Sequence, residues 1–182
     1  MGNEDMEWTE GDIDGVTVRN AEIHTDERGW LAEIFRTDEI DSTIAPVMSY
    51  LSVTKPGTSR GPHAHNDQTD MFAFMGPGNF ELRLWDNRKD SSSYGNTQSL
   101  KAGEDNPLII TVPPGIVHGY KNISDEDAWV INCPNRLFAG KGKAEPVDEI
   151  RYEEDPSSPF VLQDSHYRFL TQSSHFDTFK TN

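Results

Sequence analysis

Short runs in which apolar and polar residues alternate are the feature that most constrains how this chain folds. They are separated by turn-forming clusters and lie at residues 16–23, 30–35, 47–53, 71–75, 79–85, 108–112 and 128–133. Successive side chains of a β-strand point to opposite faces, so this period of two predicts strands. In NFELRLW, Phe80, Leu82 and Leu84 are expected to face a core. Glu81 and Arg83 are expected to face outward.

The spacing of these runs predicts an all-β fold in one domain. Many short strands separated by Gly- and Pro-containing turns are typical of a β-sandwich or a small barrel. No segment has an apolar helical stripe longer than about two turns, and only residues 36–44 favour a short helix. The length of 182 residues suits a single domain over 1–182. We expect the acidic segment 1–15 and the polar segment from about 165 to 182 to be flexible or to dock on a partner.

Charge and cysteine content exclude several classes of function. The chain has 31 acidic and 16 basic residues, a formal net charge of −15, and so acidic a surface would repel nucleic acid. Cys133 is the sole cysteine, which favours a reducing compartment. The sequence has no apolar stretch of about 20 residues for a membrane helix and no signal-peptide pattern at its start. We therefore expect a cytoplasmic protein with no membrane partner.

Two segments that are far apart in the sequence contain the histidines of chemical interest. In GTSRGPHAHNDQTD, His63 and His65 are two residues apart, so on a strand their side chains share one face. Asp70 follows and is a candidate partner for a buried imidazole. In VPPGIVHGYKN, His118 comes directly after a rigid Pro-Pro-Gly turn. These residues indicate either a metal site or a histidine that acts alone as a base.

Each segment resembles one of the two sequence motifs of the cupin superfamily. The first has the spacing G-x5-H-x-H-x4-D and the second P-x-G-x2-H-x3-N, formed by Gly57, His63, His65 and Asp70 and by Pro113, Gly115, His118 and Asn122. The cupin pattern has glutamate where Asp70 stands. The two motifs occur in order with a strand-rich segment between them. The resemblance implies a cupin jelly roll, that is, a β-sandwich of the double-stranded β-helix type.

A narrower resemblance, over residues 20–160, is to the dTDP-4-dehydrorhamnose 3,5-epimerase family, which acts on nucleotide-linked 4-keto sugars. The pieces that carry it are DERGWLAE (26–33), RGPH (60–63), Gln68, WDNR with SSSYG (85–95) and PPGIVHGY (113–120). Nucleotide-sugar 3,4-ketoisomerases resemble the chain through RGPHAH and Gln68. The resemblance implies an isomerase of polysaccharide biosynthesis, active on a dTDP-linked 4-keto-6-deoxy sugar. It also implies a homodimer that pairs through its sheets.

The resemblance also assigns roles to individual residues. It makes His63 the base that removes a proton next to the keto group, which suits an imidazole near neutral pH. His118 takes the place of a histidine that lines the pocket. The substrate-binding positions of the resemblance fall on Arg28, Glu33, Arg60 and Gln68. Of these, the two arginines match residues that bind the phosphates and the sugar. A planar guanidinium group suits this role because it can donate two parallel hydrogen bonds to a phosphate.

The chain departs from the family at the positions that handle charge and protons. Asp70 stands where the family has a lysine, and an aspartate there would repel an enolate. In the segment NCPNRLF, Arg136 or Leu137 stands where the family has the tyrosine that acts as the general acid. Asp164 is the candidate for the family's carboxylate partner of the catalytic histidine.

These departures leave two alternatives to the epimerase open. His63, His65, Asp70 and His118 together suit a divalent transition metal, whereas the favoured epimerase needs no cofactor. The two uses compete for His63, because a lone pair bound to a metal cannot accept a proton from carbon. The other alternative is a cupin that binds a sugar without turning it over.

Overall fold

A computed structural model of the protein describes residues 7–162. Within this range regular structure is nearly all β, and helical turns are limited to short 3₁₀ segments at Lys141–Lys143 and Tyr152–Glu154. No helix here has the length and apolar character that crossing a membrane requires. In chain order the strands are β1 (Thr9–Glu10), β2 (Thr17–Asn20), β3 (Ile23–Asp26), β4 (Gly29–Ala32), β5 (Tyr50–Thr54), β6 (Ser59–Ala64), β7 (Asp70–Phe74), β8 (Asn79–Asp86), β9 (Asn96–Gly103), β10 (Leu108–Val112), β11 (Ile116–Asn122), β12 (Ala128–Asn132) and β13 (Ile150–Arg151).

The strands form a sandwich of two sheets. The first sheet has the order β1-β9-β8-β11-β6-β13 and the second has the order β2-β10-β7-β12-β5, while β3 and β4 form a separate ribbon. Neighbouring strands in the described chain run antiparallel, except that β1 lies parallel to β9. Most strands that follow one another in sequence, such as β6 and β7, lie in different sheets, whereas β8 and β9 are neighbours in the first sheet. This crossing between sheets is typical of a jelly roll, so the predicted all-β sandwich is confirmed.

The core lies between the sheets and follows the alternation seen in the sequence. Phe80, Leu82 and Leu84 are buried, whereas Glu81 and Arg83 are partly exposed, as predicted. Aromatic rings from both sheets meet edge to face with centroids 5.2 to 5.9 Å apart: Phe72, Phe74, Phe80 and Tyr120. Each such pair adds about 0.5–1.5 kcal/mol beyond the burial of its area. The core therefore fixes the spacing of the two sheets.

The helix favoured by the composition of residues 36–44 does not form, so that prediction is wrong. The segment has one turn from Arg36 to Glu39 and another from Asp41 to Ile44, each closed by a backbone hydrogen bond of 3.1 Å. The Asp41 carboxylate accepts the backbone N–H two residues further on at 2.8 Å. Such local side-chain bonds compete with helical ones.

Part of the N-terminal segment packs on the body of the protein. Thr9–Glu10 forms β1 beside β9, and the Trp8 ring lies 5.4 Å from the ring of Phe160. The sequence predicts that residues 1–15 are flexible or dock on a partner, and these contacts place residues 8–10 of that segment on their own chain. The tail expected over residues 165–182 lies outside the described residues.

The WDNR and SSSYG segments form a hydrogen-bond network at the turn between β8 and β9. The buried carboxylate of Asp86 accepts two bonds of 2.8 Å from Arg88 and bonds of 2.6 Å from the hydroxyls of Ser91 and Ser93. Burial works against the charged form, but these donors outweigh it and hold the pKa of Asp86 well below its ordinary 3.8. The WDNR and SSSYG residues that carry part of the family resemblance therefore stabilise the fold.

Candidate active site

The two histidine segments meet on neighbouring strands of the first sheet. His63 on β6 is the ladder partner of His118 on β11, and their ring centroids are 4.5 Å apart. Gly61 has a φ of 76°, and a Cβ atom there would lie 2.6 Å from the carbonyl oxygen of His118. The RGPH segment therefore requires glycine at this position, because only glycine tolerates both this φ and this approach.

Asp70 reaches the histidines from the second sheet and is fully buried. Its Oδ1 accepts hydrogen bonds of 2.8 Å from Gln68 Nε2 and from Asn132 Nδ2. Its Oδ2 lies 3.1 Å from His65 Nε2 and 3.3 Å from His118 Nε2, without hydrogen-bond geometry toward either ring. Burial works to raise the pKa of Asp70, but the imidazoles of His118 and His65 outweigh it and keep the pKa far below its ordinary value. Asp70 is therefore an ionised carboxylate.

His65 is held from behind by the segment that precedes β13. Its Nδ1 donates to the carbonyl oxygen of Asp148. The Asp148 carboxylate accepts backbone N–H groups from residues 66–68 at 2.8 to 3.0 Å, which ties the loop after β6 to this segment. Burial lowers the pKa of His65, but the Asp70 carboxylate more than compensates, so the net shift is upward.

His63 has one side toward the histidine cluster and another toward an acidic residue that the sequence did not single out. Glu149 Oε1 lies 4.0 Å from His63 Nδ1, and Arg151 fixes the Glu149 carboxylate through a bond of 2.7 Å. Burial, followed by the neighbouring His118 and His65, lowers the pKa of His63 to about 2. The ring is therefore neutral near pH 7, and Glu149 lies where it would stabilise a positive charge formed on the ring.

A cavity of about 810 Å³ opens beside His63. This volume is in the range typical of sites for small organic ligands. The predicted residues His63, Arg60 and Gln68 line it, together with His65 and Tyr50. The structure therefore brings three of the residues predicted for an epimerase into one pocket.

Both acidic and positive side chains line this cavity, and within the described chain three of the positive ones have no acidic partner. Arg60, Arg136 and Lys143 all line it. Among the described residues, Arg60 donates only to Thr54 Oγ1 at 3.1 Å and to the Val53 carbonyl oxygen at 2.8 Å. None of the three cations forms a salt bridge within residues 7–162. Cations that lack acidic partners in a concave site suit an anionic ligand.

The other predicted residues do not reach this cavity. Arg28 is largely exposed on the turn of the β3–β4 ribbon and pairs with Asp26, and Glu33 is exposed near Arg36. His118 was expected to line the pocket, but it lies behind His63, covered by the Phe72 ring at 5.6 Å. The roles that the resemblance assigns to Arg28, Glu33 and His118 therefore stay predictions.

The residues predicted as a metal-ligand set do come together. One possible ligand atom from each of His63, His65, Asp70 and His118 lies within 4.8 Å of the others. Asp70 itself does not line the cavity among the described residues. The repulsion of an enolate that the sequence suggested is thus weakened, because the imidazoles stand between Asp70 and the cavity.

Sequence reasoning missed Tyr50 and Glu149. Tyr50 Oη accepts a hydrogen bond of 2.9 Å from Asn132 Nδ2, and burial raises the pKa of Tyr50 above its ordinary 10. Glu149 is remote in sequence from the histidine motifs, and Tyr50 precedes the first motif residue, Gly57, so no spacing pattern marked either residue. The predicted carboxylate partner of the catalytic histidine, Asp164, lies outside the described residues.

Comparison with known proteins agrees with this geometry. Residues 10–145 match the family model described as dTDP-4-dehydrorhamnose 3,5-epimerase. A probable low-salt glycan biosynthesis epimerase of Haloferax volcanii is 38% identical over 69% of this chain and 81% of its own length. The spore coat polysaccharide biosynthesis protein SpsL of Bacillus subtilis is 35% identical over 65% of this chain and 78% of its own length.

Solved structures extend the likeness to the fold. A dTDP sugar isomerase from Desulfovibrio desulfuricans superposes with a TM-score of 0.68 and 22% identity, covering 82% of this chain and 91% of that one. At this identity the likeness shows a shared fold alone. The family model, in contrast, spans both histidine motifs and most of the chain. The chain therefore belongs to the dTDP-4-dehydrorhamnose 3,5-epimerase family.

Proposed function

We propose that the protein is an epimerase that acts on a dTDP-linked 4-keto-6-deoxy sugar. The observation that carries this proposal is the placement of His63, neutral and partly buried, on the wall of a cavity that also holds three positive side chains without acidic partners. Family membership supports the substrate class. The positive side chains Arg60, Arg136 and Lys143 are suited to bind the diphosphate of such a substrate.

His63 is the proposed general base. A C–H bond next to a carbonyl is weakly acidic, and a neutral imidazole has a lone pair ready to accept its proton. The low pKa of His63 makes it a weak base when isolated, so the imidazolium that forms needs a nearby negative charge. Glu149, 4.0 Å from Nδ1 and held by Arg151, supplies that charge. Proton removal and return change no oxidation state, so the proposed reaction needs no cofactor.

Tyr50 is the proposed acid that returns a proton to the sugar. Because its oxygen accepts the hydrogen bond from Asn132, its own O–H is free to donate into the cavity. Its raised pKa keeps it protonated near neutral pH. Tyr50 would thus replace the tyrosine that is missing from the NCPNRLF segment.

Exchange of solvent deuterium into the substrate tests this function. We expect the protein, incubated in D₂O with dTDP-4-keto-6-deoxyglucose, to place deuterium on a carbon next to the keto group and to form an epimer, both followed by NMR. A protein that binds dTDP in calorimetry but produces no exchange and no epimer would instead be a sugar-binding cupin without catalysis.

We also propose that two copies of the chain form a homodimer through the second sheet. Strand β5 ends that sheet in the described chain, and it exposes Leu51 and Val53, with Val53 directly opposite the exposed Trp129 on β12. Trp30 and Leu31 on the β3–β4 ribbon are also exposed. A two-stranded ribbon is marginally stable alone, so a second copy offers partners for both apolar surfaces.

Changing Leu51 to glutamate is expected to weaken this dimer at least about 30-fold, because a charge would replace an apolar contact (about 2 kcal/mol). Light scattering coupled to size-exclusion chromatography across a dilution series measures the effect. Ile123→Glu, at an equally exposed position on the turn after β11, is the control and should remain dimeric. A wild type that elutes as a monomer at every concentration would rule out the dimer.

A cytoplasmic location remains our proposal. It is supported by Cys133, which is a free and buried thiol, as is usual for proteins kept in a reducing compartment.

A further inference from the structure

A buried amide joins the proposed proton donor to a carboxylate that lies behind the cavity wall. Asn132 lies on β12 with 2% of its surface exposed, and it is the ladder partner of Tyr50 on β5. Its Nδ2 atom donates hydrogen bonds of 2.9 Å to Tyr50 Oη and 2.8 Å to Asp70 Oδ1. Both N–H groups of the amide are therefore in use, one toward the hydroxyl at the cavity and one toward a buried ionised group.

The charge of Asp70 determines which way the amide points. Asp70 Oδ1 also accepts a bond of 2.8 Å from Gln68 Nε2. If the amide were turned around, Asn132 Oδ1 would take the place of Nδ2, and two acceptor oxygens would face each other with no proton between them. In the orientation that forms, Asn132 Oδ1 is buried and has no hydrogen-bond partner within residues 7–162. An unpaired acceptor costs free energy, and the bond from Nδ2 to an ionised carboxylate offsets this cost.

The orientation of the amide determines what the Tyr50 hydroxyl can do. An amide nitrogen has no lone pair that accepts a hydrogen bond, so the hydroxyl cannot donate its own proton to Asn132 Nδ2. Within the described part of the chain this hydroxyl has no other hydrogen-bond partner, and Tyr50 lines the cavity. Its O–H group is therefore left for a ligand. A reversed amide would accept this proton through its oxygen and withdraw it from the cavity.

Tyr50 and His63 reach the cavity from different sheets. Strand β5 belongs to the second sheet and β6 to the first, and both residues line the cavity. This arrangement suits an inversion, in which one group removes a proton from one face of a carbon and another delivers a proton to the opposite face. When Tyr50 delivers its proton, the O–H bond breaks, the electron pair of the enolate forms the new C–H bond, and the keto group is restored. The negative charge left on the phenolate oxygen faces the N–H donor of Asn132.

We propose that Asn132 is the positioning residue of Tyr50: its amide, held in one orientation by Asp70, directs the Tyr50 O–H group toward the sugar and stabilises the phenolate left after proton transfer. This inference rests on the proposed function. Loss of the amide should leave proton removal by His63 intact but deprive the opposite face of its donor. His63 then returns a deuteron to the face from which it took the proton, which gives exchange without inversion.

A comparison of deuterium exchange with epimer formation tests this role. Both are followed by NMR in D₂O with dTDP-4-keto-6-deoxyglucose at saturating concentration. In Asn132→Leu and Asn132→Thr we expect epimer formation to slow by about 10²-fold, as for a misplaced catalytic group, while exchange into the unconverted substrate slows by less than about threefold. Tyr50→Phe should show the same pattern. Adding Asn132→Leu to Tyr50→Phe should slow epimer formation by less than about threefold more, because the effects of residues that act as a unit are not additive.

Asn122→Leu is the matched control. Asn122 is also a fully buried asparagine on a strand, and its Nδ2 donates two bonds, of 2.8 Å to the Thr54 carbonyl oxygen and 2.7 Å to the Glu126 carbonyl oxygen. In the described chain it does not line the cavity. This substitution should lower the Tm but leave the ratio of exchange to epimer formation as in the wild type. A merely structural role of Asn132 predicts the same result for its own variants.

A further readout uses protein in which Asn132 is intact. In isotope-labelled Tyr50→Phe, the NMR resonance of one Nδ2 proton of Asn132 should move upfield relative to the wild type, because that proton loses its acceptor. The positioning role is overturned by an unchanged resonance, or by Asn132 variants of an active wild type that lose exchange and epimer formation equally or lose neither. These results leave the epimerase in place. A wild type that produces neither exchange nor epimer would instead overturn the proposed function on which the inference rests.

Discussion

Replacing His63 with asparagine is expected to slow deuterium exchange into dTDP-4-keto-6-deoxyglucose by about 10²–10⁴-fold, the usual contribution of a positioned general base. Asparagine approximates the shape of the ring but has no group that accepts a proton near neutral pH. His63 lies on the cavity wall beside Glu149, whereas His65, which also lines the cavity, has its Nδ1 bonded to the Asp148 carbonyl oxygen and its Nε2 beside Asp70. The rate is measured by NMR on metal-free protein at saturating substrate.

The control for this experiment is His24→Asn, at an exposed position on the β3–β4 ribbon, which should exchange at the wild-type rate. Binding of dTDP to His63→Asn, measured by calorimetry, should be nearly unchanged, because the proposed anion-binding side chains are intact. Exchange at an undiminished rate in the His63 variant would show that another group removes the proton.

The second large effect is expected on stability. Changing Asp86 to alanine should lower the free energy of unfolding by about 3 kcal/mol, since it leaves Arg88 and two serine hydroxyls without their shared acceptor. This loss of stability lies at the lower end of the range for removing one partner of a buried ion pair. The reason is that the Arg88 side chain is 27% exposed and can be hydrated in part. Urea denaturation measures the loss, and Tm should fall by about 6–12 °C.

The effect of Asp86 should also depend on pH. The folded-state pKa of Asp86 is depressed below 3.8, so its contribution is present above about pH 4 and is lost as the pH falls further. The difference between wild type and Asp86→Ala should therefore be larger at pH 7 than at pH 3. Asp90→Ala, an exposed position in the same turn, should change stability by less than about 0.5 kcal/mol. An Asp86 variant as stable as this control would contradict the structural role of the network.

The fold could be predicted from the sequence because alternation reports directly which side of a strand is buried. The core positions Phe80, Leu82 and Leu84 are the clearest case. The helix predicted for residues 36–44 does not form, because the carboxylate of Asp41 competes for backbone N–H groups that a helix would use.

The site could be predicted only as far as its motifs extend. The histidine segments and RGPH identified residues that do meet, because a shared ladder brings His63 and His118 together. The sequence motifs do not show how deeply each side chain is buried. His118 is expected from the resemblance to line the cavity, but it lies behind His63. Tyr50 and Glu149 come from β5 and from the segment before β13, and only the crossing of the chain between sheets brings them to His63. Within one chain, Arg28 lies exposed on the β3–β4 ribbon and pairs with Asp26. Its resemblance to substrate-binding arginines of the family does not predict where its side chain lies.

Strand β5 has consequences beyond its place at the end of the second sheet. Its alternation turns Leu51 and Val53 to the outer surface, while Tyr50 and Ser52 line the cavity. One short backbone segment thus carries both the proposed dimer contact and the wall of the ligand site. For the proposed dimer we expect substrate affinity and self-association to be coupled, and linkage makes such a coupling reciprocal. If a bound nucleotide sugar raises the association constant of two subunits by a given factor, dimerisation raises the affinity for that sugar by the same factor.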